Sequence, residues 1–83
     1  MPRLVFRVPY RAAEVFLDPM AVSIFDEEHS HEEERWVTLG KDRRGSVLVL
    51  IHTFREVSAG ESRIRIISAR KASRREARQY GGA

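Results

Sequence analysis

Three extended segments separated by short turns constrain the fold of this 83-residue chain most strongly. They span residues 35–39, which Gly40 is predicted to close, then 46–54 and 63–70. Strands joined by short turns pair with their chain neighbours in antiparallel order. The run 47–51 is apolar on both faces, as in a central strand. The sequence therefore predicts an antiparallel meander.

Shorter elements flank the meander. A helical stripe is predicted near the N-terminus from four apolar residues at helical spacing: Ala12, Ala13, Phe16 and Leu17. That helix should end at Asp18, because Pro19 disfavours helical backbone at the preceding residue. Residues 20–25 are typical of a short strand, and the acidic run 26–34 is typical of a solvated loop.

The first residue of a C-terminal helix can be predicted from a capping motif. Ser73 and Glu76 have the spacing of a capping box, and Tyr80 follows Glu76 by one helical turn. We expect this helix to end before Gly81. The predicted fold class is α+β: an antiparallel sheet of about four strands with short N-terminal and C-terminal helices.

Composition narrows the class of protein. A chain of 83 residues without cysteine predicts one small domain with neither disulfides nor a thiolate zinc site. No apolar run approaches the roughly 20 residues of a membrane span, and no signal peptide is evident. A cytoplasmic protein that does not enter a membrane is the natural expectation.

Charge is distributed unevenly along the chain. Six of the 12 acidic residues lie between Asp26 and Glu34, whereas the tail from Arg63 onward has seven basic residues against one acidic residue. This asymmetry favours an anionic partner for the tail. The alternative is that the acidic loop neutralises the tail within the fold.

Arginines in the last strand are the strongest candidates for phosphate binding. An arginine fork grips a phosphate at two points and stabilises charge that develops on it. Arg65 and Arg70 have opposite strand parity, so a twist or bulge near Ser68 is needed to bring them together. Lys71 follows directly. The alternative is a solvated strand edge that resists aggregation.

For His52 and Tyr80 the sequence allows both a functional and a structural role. His52 in the central strand is a candidate for proton transfer or a hydrogen-bonded structural residue. Tyr80 either contacts substrate or attaches the last helix to the sheet. Trp36 is expected in the core, with Arg35 on the opposite face. His29 and His31 have zinc-compatible chemistry, but a flexible acidic loop fixes no geometry, so no metal site is predicted.

Several motifs together resemble the BrnT toxin family. The matching runs are AEVFLDP at 13–19, EERWVTLG at 33–40, VLVLIHT at 47–53 and IRIISARKA at 64–72. An Asp-and-His loop at 26–29 and the later Arg74, Arg75, Glu76 and Tyr80 also match. The similarity covers roughly residues 12 to 80.

The resemblance implies a RelE-like, metal-independent endoribonuclease toxin of a type II toxin–antitoxin pair that needs no cofactor and inhibits translation. It implies a BrnA-type ribbon-helix-helix antitoxin as partner, with operator DNA bound only through that antitoxin. The implied roles are charge stabilisation by Arg65 and Arg70, phosphate contact by Lys71, and proton transfer by His52 or Tyr80. The implied substrate-binding residues are Arg35, Arg63, Arg74 and Arg75.

The N-terminus departs from the family pattern. Members usually begin with a strand of the Phe-Glu-Trp-Asp kind and a helix ending in Lys-His-Gly, for which residues 1–9 leave no room. We therefore expect one BrnT-like domain over residues 1–83, shortened at the N-terminus, with Phe6 and Val8 replacing part of the edge strand. The alternatives to a toxin are a non-catalytic RNA-binding module and an antitoxin-dependent interaction module.

Overall fold

The computed structural model describes residues 3–6, 10–31 and 33–80, and the side chains of 11–31 and 33–80. The strands are β1 Arg3–Phe6, β2 Val22–Phe25, β3 Glu34–Lys41, β4 Val47–Ser58 and β5 Glu61–Lys71. The helices are α1 Tyr10–Ala13, a first 3-10 helix Glu14–Leu17, a second 3-10 helix Glu27–His29, and α2 Arg74–Gln79.

All five strands form one sheet in the order β1-β5-β4-β3-β2. Strands β2 to β5 pair in antiparallel order, so the predicted four-stranded meander and the α+β class are confirmed. The central position of β4 is confirmed as well. Strand β1 lies at the edge of the sheet, pairs in parallel with β5 and places Phe6 opposite Ile64, so the expectation that Phe6 replaces part of an edge strand is confirmed and the described sheet has five strands instead of about four. Val8 lies outside the described residues.

One face of the sheet carries the main apolar cluster, while Leu39 and Val49 are buried on the other face. Buried side chains of α1 and the first 3-10 helix pack on it and form an apolar cluster of Ala12, Val15, Leu50, Ile64 and Ile66. The predicted stripe is wrong at Leu17, which is 70% exposed, whereas Val15 is fully buried. The helix tightens after Ala13 to three residues per turn, which aligns Val15 with Ala12 and turns Leu17 outward.

A β-bulge interrupts the pairing of β4 with β5. Ile51 pairs with Ser68 but His52 pairs with Ile66, so Ile67 is the extra residue. Beyond it the side-chain alternation of β5 is inverted relative to β4. The bulge that the sequence required near Ser68 is therefore confirmed, one residue earlier.

The turns and the helix cap agree with the sequence pattern. Gly45 and Gly60 have φ of 84° and 82°, in the left-handed region that glycine adopts without strain. The capping box of Ser73 and Glu76 is present, with both hydrogen bonds formed. Gly40 differs from the prediction, because β3 continues through it to Lys41.

Gly40 serves packing, and this role can be tested. A Cβ at this position would lie 2.6 Å from Val15 Cγ1 and 3.2 Å from the Val15 carbonyl oxygen. Gly40→Ala should lower the free energy of unfolding by about 1–3 kcal/mol, the usual cost of overpacking a core. Urea denaturation measures the change. In a Val15→Ala background the same substitution should cost less, and an equal cost in both backgrounds would contradict this explanation.

Candidate functional site

Five arginines share the face of the sheet opposite the core, and we call this surface the arginine face. Arg35 and Arg65 both lie opposite Thr53, and Arg55 lies opposite Arg63. Residues directly opposite each other, or two apart along a strand, have side chains on the same face. Arg70 lies opposite Val49 and joins this face because of the bulge. The full set is Arg35, Arg55, Arg63, Arg65 and Arg70.

Two of these arginines are paired with carboxylates. Arg65 Nη2 donates to Glu33 Oε1 at 2.7 Å. Arg70 grips Glu76 with both terminal nitrogens, at 2.7 and 2.8 Å. These bonds, with the Ser73 backbone N–H, lower the pKa of Glu76 to about 2, and Glu76 raises that of Arg70. Each guanidinium thus holds a carboxylate that a phosphate would have to displace.

The other end of the arginine face has two cations side by side. Arg55 and Arg63 lie directly opposite each other, an unfavourable arrangement for like charges. Arg63 Nε is buried and finds no hydrogen-bond acceptor among the described residues. An anion bound here would relieve both costs. Sequence reasoning missed Arg55, although its parity with Thr53 on β4 would have indicated it.

A cavity of about 250 Å³ lies at the junction of the arginine face and the acidic loop. Arg35, Thr53 and Arg65 line it from the strands, and His29 and His31 line it from the loop. Glu33 and Ile67 complete the lining. The structure therefore places two histidines beside two arginines that were predicted to bind RNA.

The loop is fixed to β3 by backbone hydrogen bonds. The Asp26 N–H donates to the Arg35 carbonyl at 2.8 Å, and the Arg35 N–H donates to Ser30 Oγ at 2.9 Å. Ser30 Oγ donates in turn to the Asp26 carbonyl at 2.6 Å. The Asp26 carboxylate holds His29 Nδ1 at 2.9 and 3.1 Å, and this bond lowers the pKa of Asp26. The loop is exposed, as predicted, but it has a defined geometry.

The predicted residues around α2 are only partly brought together. The Tyr80 hydroxyl donates to Asp18, whose carboxylate also accepts the backbone N–H of Lys41 at 2.8 Å. Asp18 raises the pKa of Tyr80 to about 12. Lys71 ends β5 opposite Leu48, and therefore on the core side of the edge. The exposed Arg74 and Arg75 lie in the first turn of α2.

His52 lies on the other side of the sheet. It is 4% exposed, its Nε2 lies 2.6 Å from Thr38 Oγ1, and Phe16 packs edge-on against its ring. Thr38 Oγ1 lies 2.7 Å from Ser23 Oγ, which extends the chain of hydrogen bonds to β2. Burial lowers the pKa of His52. The structure does not bring His52 together with the arginines. Trp36 is half-buried against Phe25.

Two further findings bear on the class of protein. No helix among the described residues is long and apolar enough to cross a membrane. Within the same residues, no three side chains of the types His, Cys, Asp and Glu are grouped to hold a metal ion.

The bond between Glu33 and Arg65 shows that the acidic loop neutralises part of the basic surface, which was the alternative interpretation of the charge asymmetry.

Comparison with known proteins identifies a family. The family model described as "Ribonuclease toxin, BrnT, of type II toxin-antitoxin system" matches residues 8–76, well over half of the chain. A search of curated proteins finds no significant match. The matched range contains all five residues of the arginine face and the loop that carries His29.

Burial of neutral His52 predicts a specific pH dependence. Because the folded pKa is lowered, the contribution of His52 to stability is complete above its ordinary value of 6.5 and is lost as pH falls through the folded value. In an NMR titration, the imidazole resonances of His52 should respond only below pH 6.5. His52→Gln assigns the signal. A midpoint at or above 6.5 would contradict the buried, neutral assignment.

Proposed function

The chain belongs to the BrnT family of ribonuclease toxins of type II toxin–antitoxin systems, and from this membership we propose that it is an endoribonuclease that inhibits translation. We propose further that it acts without a metal, in the cytoplasm, and that a BrnA-type ribbon-helix-helix antitoxin neutralises it. Operator DNA would be bound only through that antitoxin. A RelE-like relationship of the fold belongs to the same proposal.

The arginine face is the observation that carries this proposal. Arg65 and Arg70 lie four β4 positions apart, opposite Thr53 and Val49, which is roughly 13 Å along an extended strand. An RNA strand that follows β5 would therefore pass both guanidinium groups, with Arg35 and Arg63 beside it. A rigid strand holds these groups better than a loop does, because their backbone positions are fixed by the sheet.

Cleavage would use the ribose itself as the nucleophile. The 2′-hydroxyl attacks the neighbouring phosphorus, and the 5′-oxygen leaves, which gives a 2′,3′-cyclic phosphate and a 5′-hydroxyl. Arg65 and Arg70 would stabilise the charge on the pentacoordinate phosphorus. Lys71 ends β5 on the core side and is exposed, so it would contact a flanking phosphate only where the RNA passes the end of the strand. Arg74 and Arg75 would extend the contact along α2.

The two side chains predicted to transfer protons, His52 and Tyr80, are less favourably placed for this reaction than the arginines. His52 is separated from the arginine face by the sheet. Tyr80 remains a candidate, because its raised pKa keeps the hydroxyl protonated and able to donate. Its proton is directed at Asp18, so that bond has to break before Tyr80 can protonate a leaving oxygen.

Removal of Arg70 tests the proposal directly. Arg70→Ala should lower the rate of RNA cleavage by about 100-fold or more, because a charge-stabilising donor is lost. The assay uses a labelled RNA with EDTA present, and the product should carry a cyclic phosphate. Arg44→Ala is the matched control, since Arg44 is an exposed arginine in the 42–45 turn, away from the arginine face.

The same assay separates the alternatives. If the wild-type chain shifts RNA on a gel without cutting it, and salt weakens the complex steeply, the RNA-binding module is correct and the ribonuclease proposal is wrong. If it does neither, yet folds and is protected by the antitoxin, the interaction module is correct. Loss of cleavage on addition of EDTA would contradict metal independence alone.

Glu76 should compete with RNA for Arg70. Glu76→Gln removes the negative charge while it keeps the size of the side chain, so RNA should bind several-fold more tightly at low salt. Fluorescence anisotropy measures the affinity. Glu34→Gln is the control, because Glu34 is exposed and lies on the core side of β3. Equal effects of both substitutions would show a general charge effect instead of competition at Arg70.

A further inference from the structure

The proposed ribonuclease reaction needs a group that takes the proton from the 2′-hydroxyl, and the cavity beside the arginine face contains one. The structure assigns this role to His29, with Asp26 as its positioning residue; the assignment rests on the proposed function. Sequence reasoning considered His29 as a metal ligand and matched its loop to the family pattern, but gave it no part in proton transfer. His29 is the general base for the 2′-hydroxyl of a single-stranded RNA.

Three observations place His29 for this reaction. It lines the same cavity as Arg35 and Arg65, so a phosphate bound to either guanidinium lies within the same space of about 250 Å³. The Asp26 carboxylate holds Nδ1, which fixes the ring and leaves Nε2 as the nitrogen for proton transfer. The side chain is 57% exposed, so substrate can reach it.

The loop that carries His29 is held in position by β3. Asp26 and Ser30, on either side of His29, are both hydrogen-bonded to the backbone of Arg35, at 2.8 and 2.9 Å. Arg35 itself belongs to the arginine face. The base and one phosphate-binding residue are therefore fixed to the same strand residue, which limits their relative movement. An imidazole oriented by a carboxylate is the usual arrangement of a proton-transfer histidine.

The other cavity groups have compatible charges. His31 and Glu33 face His29 from the loop, and Arg35 and Arg65 face it from the strands. Glu33 occupies Arg65 at 2.7 Å in the free protein, where a phosphate would replace it. A phosphate that replaces Glu33 at Arg65 would then lie in the same cavity as the imidazole of His29.

Protons and bonds balance in this step. His29 Nε2 takes the 2′-hydroxyl proton as the new bond from O2′ to phosphorus forms. The bond from phosphorus to O5′ then breaks, and O5′ takes a proton from solvent. His29 returns its proton to solvent, so the cycle consumes no proton and requires no co-reactant.

Chemical rescue of a truncated side chain is the decisive experiment. His29→Ala should lower the cleavage rate constant by about 10²-fold or more while RNA binds with unchanged affinity. Added imidazole should restore part of the rate, because the truncation leaves room for it beside the arginines. Glu28→Ala is the control: Glu28 is the exposed neighbour in the same 3-10 helix and does not line the cavity, so its rate should be that of wild type.

A positioning role for Asp26 gives a second readout. Asp26→Asn should lower the cleavage rate constant without weakening RNA binding, and imidazole should not rescue it, since the ring of His29 still fills the position. The pH–rate profile of wild type should have a limb that is absent in His29→Ala.

Each outcome decides between specific readings. Wild-type cleavage with an undiminished rate in His29→Ala would overturn the assignment while the ribonuclease function stands. Loss of both binding and cleavage without imidazole rescue would make His29 a structural residue and would also overturn it. If the wild-type chain itself does not cleave RNA, the proposed function fails, and this is distinguishable because it appears before any variant is compared.

Discussion

One extra residue in β5 determines the chemistry of this protein. Without the bulge at Ile67, strict alternation would turn Arg70 toward the core face and Lys71 toward the arginine face. Ala69 and Lys71, which occupy the core side at this end of β5, are exposed, so the bulge determines which basic side chain joins the arginine face. Among the described residues, the parallel strand β1 pairs with β5 from Glu61 to Ile64, upstream of the bulge. Phosphate binding at Arg70 therefore depends on this local irregularity.

Glu33 and Glu76 form ion pairs with Arg65 and Arg70, the two arginines proposed to stabilise charge. These pairs are weak enough for an RNA phosphate to replace the carboxylates. Arg65 and Arg70 are 52% and 58% exposed at their side chains, and exposed ion pairs contribute little net stability. A phosphate offers more oxygens to the same guanidinium forks. Glu33 and Glu76 therefore hold the arginines in extended geometry in the free protein and yield them to RNA. Because these ion pairs are exposed, salt screens them. The exchange of carboxylate for phosphate therefore depends on salt concentration more than it would if the pairs were buried.

Structural features that depend on local chemistry could be predicted from the sequence, whereas features that depend on tertiary geometry could not. The antiparallel pairing of neighbouring strands and the capping box of Ser73 depend on local sequence, and both were predicted correctly, whereas Gly40 was predicted to close a strand and lies inside β3. Leu17 was assigned to the core because a 3.6-residue period was assumed, whereas the chain there has a 3-10 period. The need for a bulge was readable from the parity of Arg65 and Arg70, but its position was not. Neither Arg55 nor the cavity at His29 was found, since both depend on which strands and loops meet in space.

The difference in burial between His52 and His29 determines which of the two can transfer protons. His52 has both ring nitrogens within hydrogen-bond distance of Thr38 and Thr53, on the face that holds the core together. Protonating it would cost stability, so a reaction cycle that passes through its cation would loosen β3 against β4. His29 is hydrogen-bonded to Asp26 at the surface, with a side chain that is 57% exposed, outside the packing between the strands. Proton transfer can therefore occur on the loop while the sheet that positions the arginines stays unchanged.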